Sequence, residues 1–197
     1  MMLTEIRNSL RPAFMLLLLF TALTGVAYPL AITGIAQVAF PSQANGSLIR
    51  ANGTVIGSEL IGQNFADARY FHSRPSAAGK GYDASASAAS NLAPASKDLA
   101  DRIDSAVAAL RAQGVSGAIP ADLVTTSASG LDPHISPESA LTQVTRIASA
   151  RKLSPQQIRD AVVSSTEYPL FGLIGEPRIN VLLLNRQLDR ISANRVP

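Results

Sequence analysis

From Pro12 to Ile49 the chain carries no charged residue, and from Ala13 to Phe40 it is dominated by Leu, Ala, Val, Ile, Phe and small side chains. Wound as a helix, that apolar run is about 42 Å long at about 1.5 Å per residue, longer than the roughly 30 Å of a bilayer's hydrocarbon core. The feature predicts an N-terminal segment over 1–12, one transmembrane helix over 13–40 and a single domain over 41–197. A cleaved secretory signal is the competing reading, with Arg7 and Arg11 as a basic start, Phe14 to Leu23 as its apolar core and Gly25-Val26-Ala27 as a small-x-small site. Apolar character resumes after Ala27, through Leu30, Ile32, Ile35, Val38 and Phe40. A mature soluble N-terminus has no reason to carry it, so the anchor is favoured.

Pro29 lies inside the run and lacks the amide proton that would bond back one turn, which predicts a bend or break near Tyr28. Thr21, Thr24, Gly25, Thr33 and Gly34 offer small or hydroxyl side chains suited to close contact with other membrane helices. Arg7 and Arg11 stand just before the span, and the next basic residue is Arg50. The positive flank predicts a cytoplasmic N-terminus and an extracytoplasmic domain.

Composition narrows the function of that domain. Basic residues are scattered singly apart from Arg151-Lys152, so no stripe exists to neutralise a run of phosphates and nucleic acid is not suggested as a partner. The absence of cysteine excludes a disulfide framework, thiolate metal sites and cysteine nucleophiles. Tryptophan is also absent, which argues against an aromatic sugar-binding or base-stacking platform.

Pro41 to Gly46 reads as the juncture after the span. Leu48-Ile49, Asn52-Gly53 and Thr54-Val55-Ile56 predict a β-hairpin turned by Asn-Gly. The stretch ASASAASNLAPAS, between Asp83 and Lys97, is too poor in large apolar groups to form a core and reads as a loop. Ser96 caps a predicted helix carrying Leu99, Ile103, Val107 and Leu110 at core spacing and ending near Gly114. Ala121 to Thr126, ADLVTT, reads as a strand. Ser136-Pro137 opens a helix expected to bury Leu141, Val144, Ile147 and Ala148, and Ser154-Pro155-Gln156-Gln157 opens another with a capping box, burying Ile158, Ala161 and Val162. INVLLLNRQLDRI can begin as a strand, but Val181, Leu184, Leu188 and Ile191 keep helical spacing, so a terminal helix is expected. The fold class is α+β: one transmembrane helix followed by a single mixed α/β extracytoplasmic domain.

Chemistry-bearing motifs are sparse. His72 in YFHSRP and His134 in GLDPHISP lack the second histidine or carboxylate at helix-face spacing that a zinc site needs. Asp132, His134 and a serine form the elements of a hydrolytic triad, but no G-x-S-x-G elbow is present. A membrane-anchored envelope hydrolase and a stand-alone anchored binding module are therefore the alternative readings. Gly79-Lys80-Gly81 fails the phosphate-loop spacing. Glu176-Pro177-Arg178 reads as a structural ion pair.

GQNFADARYFHSRPSA, SNLAPAS, DLVTTSASGLDPHISPESA with QVTRIA, and GLIGEPRINVLLLN run in order from Gly62 to Asn185. Together with the anchor they closely resemble the C subunit of the Kdp-type potassium-transporting P-type ATPase; Ala93 in SNLAPAS departs from an expected glycine. The resemblance implies an accessory subunit of a high-affinity potassium uptake complex in the bacterial inner membrane. Its partners would be a channel-like potassium-binding subunit, a P-type ATPase subunit and a very small accessory subunit. The family is described as a catalytic chaperone that raises the ATP affinity of the ATPase subunit and is needed for assembly. ATP and potassium would be used by the complex, with no cofactor bound directly by this chain and no catalytic, cofactor-binding or metal residue of its own. An extracytoplasmic domain cannot touch cytoplasmic ATP, so an outer cap near the potassium entrance, acting allosterically, is the expected arrangement. Tyr70, Arg74, Asn91 and His134 are the candidate partner-interface residues, and Pro29 the candidate kink.

Overall fold

The computed structural model describes residues 2–169, 172 and 174–193. The ends of the expected segments, at 1 and at 194–197, lie outside the described residues, as does Leu173 of the GLIGEPRINVLLLN block. The chain divides into two compact units, Met1–Leu48 and Ile49–Pro197.

In the first unit, α1 (Met2–Ala22) leads through a π-helical turn (Leu23–Ala27) into α2 (Tyr28–Ala39). The stretch Thr4–Ala39 is long and apolar enough to cross a membrane, with a mean hydropathy of 2.0 over an 18-residue window. Its large apolar side chains, from Phe14 to Phe40, are exposed along the helix. A helix satisfies its own backbone and offers these side chains to lipid. Pro29 has no N–H for the Gly25 carbonyl one turn back, and its ring crowds that carbonyl. The ladder widens just before it, with the Tyr28 N–H donating to the Leu23 carbonyl five residues earlier. The bend or break expected near Tyr28 does not interrupt the helix: a π turn precedes it and the helix continues as α2. The Thr24 hydroxyl, within that turn, donates to the Phe20 carbonyl at 2.7 Å. After Phe40 a single turn, α3 (Pro41–Ala44), follows, and Asn45 ties it to α2 by donating to Gln37 at 3.0 Å and to the Pro41 carbonyl at 2.6 Å.

The expected hairpin is present as β1 (Leu48–Ala51) and β2 (Thr54–Ser58). Asn52 and Gly53 both hold positive φ, 50° and 80°, as a tight turn matching the strand twist requires. Residues 83–96 form the expected loop, interrupted only by a 3₁₀ turn at Ala84–Ala86 that the Asp83 side chain caps.

The helix α4 (Lys97–Ala112) begins at Ser96, whose side chain accepts from the Leu99 N–H. Its expected core face is a correction: Leu99, Ile103, Val107 and Leu110 are only half-buried, and α4 has no buried residue. Beyond Leu110 the chain forms the wall of an open cleft facing α5 (Pro137–Arg151). The expected strand ADLVTT is also corrected. Ala121–Leu123 is a 3₁₀ turn, closed by the N–H and hydroxyl of Thr125 on the Ala121 carbonyl at 2.9 and 2.7 Å. Leu123 and Val124 are both buried, whereas neighbours on a strand point to opposite faces.

Among the remaining elements the three helices follow the sequence pattern, while the strands at 134–135 and 166–167 have no counterpart in it. A short strand, β3 (His134–Ile135), precedes α5; α6 (Pro155–Ser164) carries the expected capping box; β4 (Thr166–Glu167), β5 (Arg178–Asn180) and α7 (Val181–Ala193) complete the unit. The strands pair antiparallel in the order β3-β5-β4, with Ile179 opposite both Ile135 and Thr166. Beside them Val144, Ile147, Ile158, Val162, Leu184 and Leu188 form the core with Phe71. Leu141, expected inside, is 45% exposed. Helix α5 is rotated so that Ser139, Ala140 and Gln143 face inward, because Gln143 is needed against the backbone of His72.

Candidate functional site

The segment from Gly62 to Pro75 has no regular secondary structure, so its backbone polar groups need other partners. Two side-chain amides supply them. Asn185 of α7 accepts from the Phe71 N–H at 2.8 Å and donates to its carbonyl at 3.0 Å. Gln143 of α5 does the same for His72, at 2.8 and 3.1 Å. Arg146 donates to the carbonyls of Ala68 and Tyr70 at 2.7 and 3.0 Å, and Arg151 to that of Arg69 at 2.6 Å. These brackets turn an irregular strand into a rigid wall.

That wall delivers Arg74 to Asp132, 3.3 Å away, and to the Thr126 carbonyl at 3.4 Å. Asp132 uses its other oxygen for His134, accepting the backbone N–H at 3.0 Å and lying 3.4 Å from ring Nδ1. Burial works to raise the Asp132 pKa, but the hydrogen bonds from His134 and the charges of His134 and Arg74 outweigh it and hold the carboxyl below its ordinary value. Gly62 is indispensable to this approach. Its N–H donates to the Leu131 carbonyl at 2.8 Å, and a Cβ there would stand 2.6 Å from both the Asp132 carbonyl and the Tyr82 ring.

Arg74 lines two clefts. The first, about 1240 Å³, also takes in Asp122, Asp132, His134, Glu138, Glu167 and Glu176. Carboxylates outnumber cations in its lining, where Arg74 is joined by Arg178, itself 3.0 Å from Glu167. This pairing is the structural ion pair expected of Arg178, made with Glu167 rather than Glu176. The second cleft, about 1230 Å³, runs between the 63–76 wall, the C-terminal end of α4 and the outer face of α5.

Of the candidate interface residues, Arg74 and His134 meet at Asp132 in the first cleft. Tyr70 belongs to a different cluster, with its ring 5.5 Å from that of Phe65, the Arg151 guanidinium 4.8 Å above it and its hydroxyl 3.3 Å from Asp189. Asn91 stands apart, exposed in the loop with φ 51°. It is the left-handed residue there, two positions before Ala93. Of the triad elements, Asp132 and His134 do meet, 3.4 Å apart, while Ser136 and Ser139 give their hydroxyls to Asp122 instead. Among the described residues no group of three His, Cys, Asp or Glu is placed to hold a metal ion.

Residues 10–190 match the family model described as "KdpC: K+-transporting ATPase, c chain". A "Potassium-transporting ATPase KdpC subunit" of Caulobacter vibrioides is 58% identical over 92% of this chain and 93% of its own length. Those of Bradyrhizobium diazoefficiens and Variovorax paradoxus are 53% and 54% identical, covering 94% and 95% of this chain and 98% and 99% of theirs. The chain belongs to the KdpC family.

Apart from SNLAPAS, the blocks that carried the resemblance contribute to the clefts of this KdpC-family domain. GQNFADARYFHSRPSA is the bracketed wall, GLDPHISP supplies Asp132 and His134, and the GEPRIN part of the last block closes the rim of the first cleft beside Tyr168 and Ile174. Sequence reasoning missed Asn185, Gln143 and Asp122. Gln143 and Asn185 are polar residues on the apolar faces of α5 and α7, and that placement is the signal that could have found them; Asp122, in a 3₁₀ turn, carries no such signal.

Proposed function

We propose that the chain is a non-catalytic accessory subunit of a potassium-transporting P-type ATPase in the bacterial inner membrane. Its single span, with the N-terminus in the cytoplasm, joins a channel-like potassium-binding subunit, a P-type ATPase subunit and a small accessory subunit. Family membership over residues 10–190, span included, carries this reading. The domain lies outside the membrane and caps the potassium entrance of the channel-like subunit. The acidic lining of the first cleft supports the cap: Asp122, Asp132, Glu138, Glu167 and Glu176 give a concave surface whose field raises the local cation concentration. Tyr168 and Ile174, 73% and 80% exposed at its rim, offer apolar contact to a partner.

ATP is bound by the ATPase subunit and potassium by the channel-like subunit; this domain touches no nucleotide. Its effect on ATP affinity is a coupling through two states of the complex that the domain contacts differently. Two experiments test the reading. A reporter enzyme active only in the cytoplasm, fused after Pro197, should be inactive; an active fusion overturns the outer placement. Potassium-stimulated ATP hydrolysis, measured with and without this chain, should require more ATP for half-maximal rate without it. An unchanged ATP dependence overturns the allosteric role.

A further inference from the structure

The second cleft is opposite to the first in charge. Among the described residues its lining holds no aspartate or glutamate, and its basic members are His72, Arg74 and Arg146. Arg74 already has Asp132, 3.3 Å away. His72, held below its ordinary pKa by burial and by Arg146, is neutral at neutral pH. The uncompensated charge is Arg146. Nearby arginines end on carboxylates, Arg69 on Asp67 at 2.9 Å and Arg151 on Asp189 at 2.8 Å, whereas Arg146 is half-buried and pairs with no carboxylate among the described residues. Burial accordingly holds its pKa below the ordinary value, and the charge of Asp67 offsets this only in part.

Arg146 gives three hydrogen bonds to the protein: Nη1 donates to the Ala68 and Tyr70 carbonyls at 2.7 and 3.0 Å, and Nη2 to Gln143 at 2.6 Å. A guanidinium carries five N–H donors, so two remain, Nε–H among them, the number that a carboxylate takes in a bidentate pair. On α5, Thr142, Thr145 and Ser149 lie three and four positions apart and line the cleft with Arg146, sharing one helix face. The Thr145 and Ser149 side chains are exposed, and their hydroxyls have no partner among the described residues. Phe65, Leu110 and Val115 stand half-buried in the same lining, and Leu110 belongs to α4, the helix with no buried residue. At about 1230 Å³ the cleft exceeds the about 300–1,000 Å³ of a small-molecule site, so a lone ion or metabolite would leave much of it unfilled.

We infer that the second cleft seats an acidic peptide segment of a partner protein, with one aspartate or glutamate carboxylate on Arg146 and apolar side chains against Phe65, Leu110 and Val115. One uncompensated cation matches one carboxylate, whereas a phosphate group carries a charge of about −1.5 to −2 and would be left short of partners. The segment also supplies the covering layer that α4 lacks at Leu110. Nothing in this seat depends on which protein carries the segment or on the side of the membrane.

Photocrosslinking tests it. Thr145 is replaced by p-benzoylphenylalanine in the full chain, in the membranes of the cell that makes it, and adducts are mapped by mass spectrometry. Ala150→Glu places a carboxylate one helical turn beyond Arg146, where it takes up the guanidinium, and Ala150→Gln controls for size. Position 150 is exposed and lines the cleft, so both variants leave the hydrogen bonds between Arg146 and the wall in place. The adduct should fall in a protein segment bearing Asp or Glu, with a yield severalfold lower for Ala150→Glu and unchanged for Ala150→Gln. Replacing that segment's carboxylate by its amide should lower the yield as much, and combining it with Ala150→Glu should lower it no further. No adduct to another protein, an adduct in a segment without a carboxylate, or a yield indifferent to Ala150→Glu overturns the inference. So does an adduct to a nucleotide or a phospholipid, which would assign the cleft to a phosphate ligand.

Discussion

Asn185 and Phe71, 114 positions apart, are joined by two hydrogen bonds in the buried core: the Asn185 amide accepts from the Phe71 N–H at 2.8 Å and donates to its carbonyl at 3.0 Å. Phe71 is fully buried and Asn185 only 1% exposed, so neither backbone group has water as an alternative. Asn185→Leu keeps the branched shape and removes both partners. At about 1–3 kcal/mol for each orphaned group, the substitution should lower unfolding free energy by about 2–6 kcal/mol, read as a lower denaturant midpoint of the full chain in detergent.

Asp122 locks the start of α5. Its carboxylate accepts from the Ser136 N–H at 2.7 Å and from the hydroxyls of Ser136 and Ser139. Asp122→Ala should cost about 1–2 kcal/mol, the scale of a lost helix cap, and speed amide exchange in the first turn of α5 more than in α6.

Gly62→Ala tests the close approach that places Asp132. With the Asp132 carbonyl 2.6 Å from the added Cβ, backbone must shift, and the expected cost is about 1–3 kcal/mol. The Arg74–Asp132 pair should loosen with it. A crystal structure of the variant that keeps the 3.3 Å pairing would contradict this account of the glycine.

The His72 side chain makes stability pH-dependent. Burial first, and then the charge of Arg146, hold its pKa below the ordinary 6.5. The unfolded chain therefore binds more protons than the folded one between that lowered value and 6.5. The contribution is present above the upper limit and lost as pH falls through the window. Unfolding free energy should decline as the pH drops below 6.5, and His72→Gln should flatten that decline. Asp132, with its lowered pKa, adds a separate loss at lower pH, below its ordinary 3.8.

These residues also show where sequence reading reaches its limit. The span, the Asn-Gly hairpin, α6 with its capping box and α7 are written in local periodicity and turn chemistry, so they could be read residue by residue. The 62–75 wall could not, because its hydrogen bonds come from Gln143 and Asn185, 71 and 114 positions away. Arg74 and Asp132, 58 positions apart, give no local sign of meeting. The apolar spacing of Leu99, Ile103, Val107 and Leu110 was legible as helix. Spacing cannot say that the layer covering it is incomplete. ADLVTT has strand-like composition, yet Asp122 is held at the α5 N-terminus and the segment curls into a turn to bring it there.

The central claim is that this chain acts as one subunit of a potassium-transporting ATPase. Mild-detergent extraction of bacterial membranes, with affinity purification through this chain, tests it most directly. The account predicts recovery of a larger complex whose ATP hydrolysis is stimulated by potassium. Recovery of a monomer, with no co-purifying membrane subunit and no such activity, would contradict it.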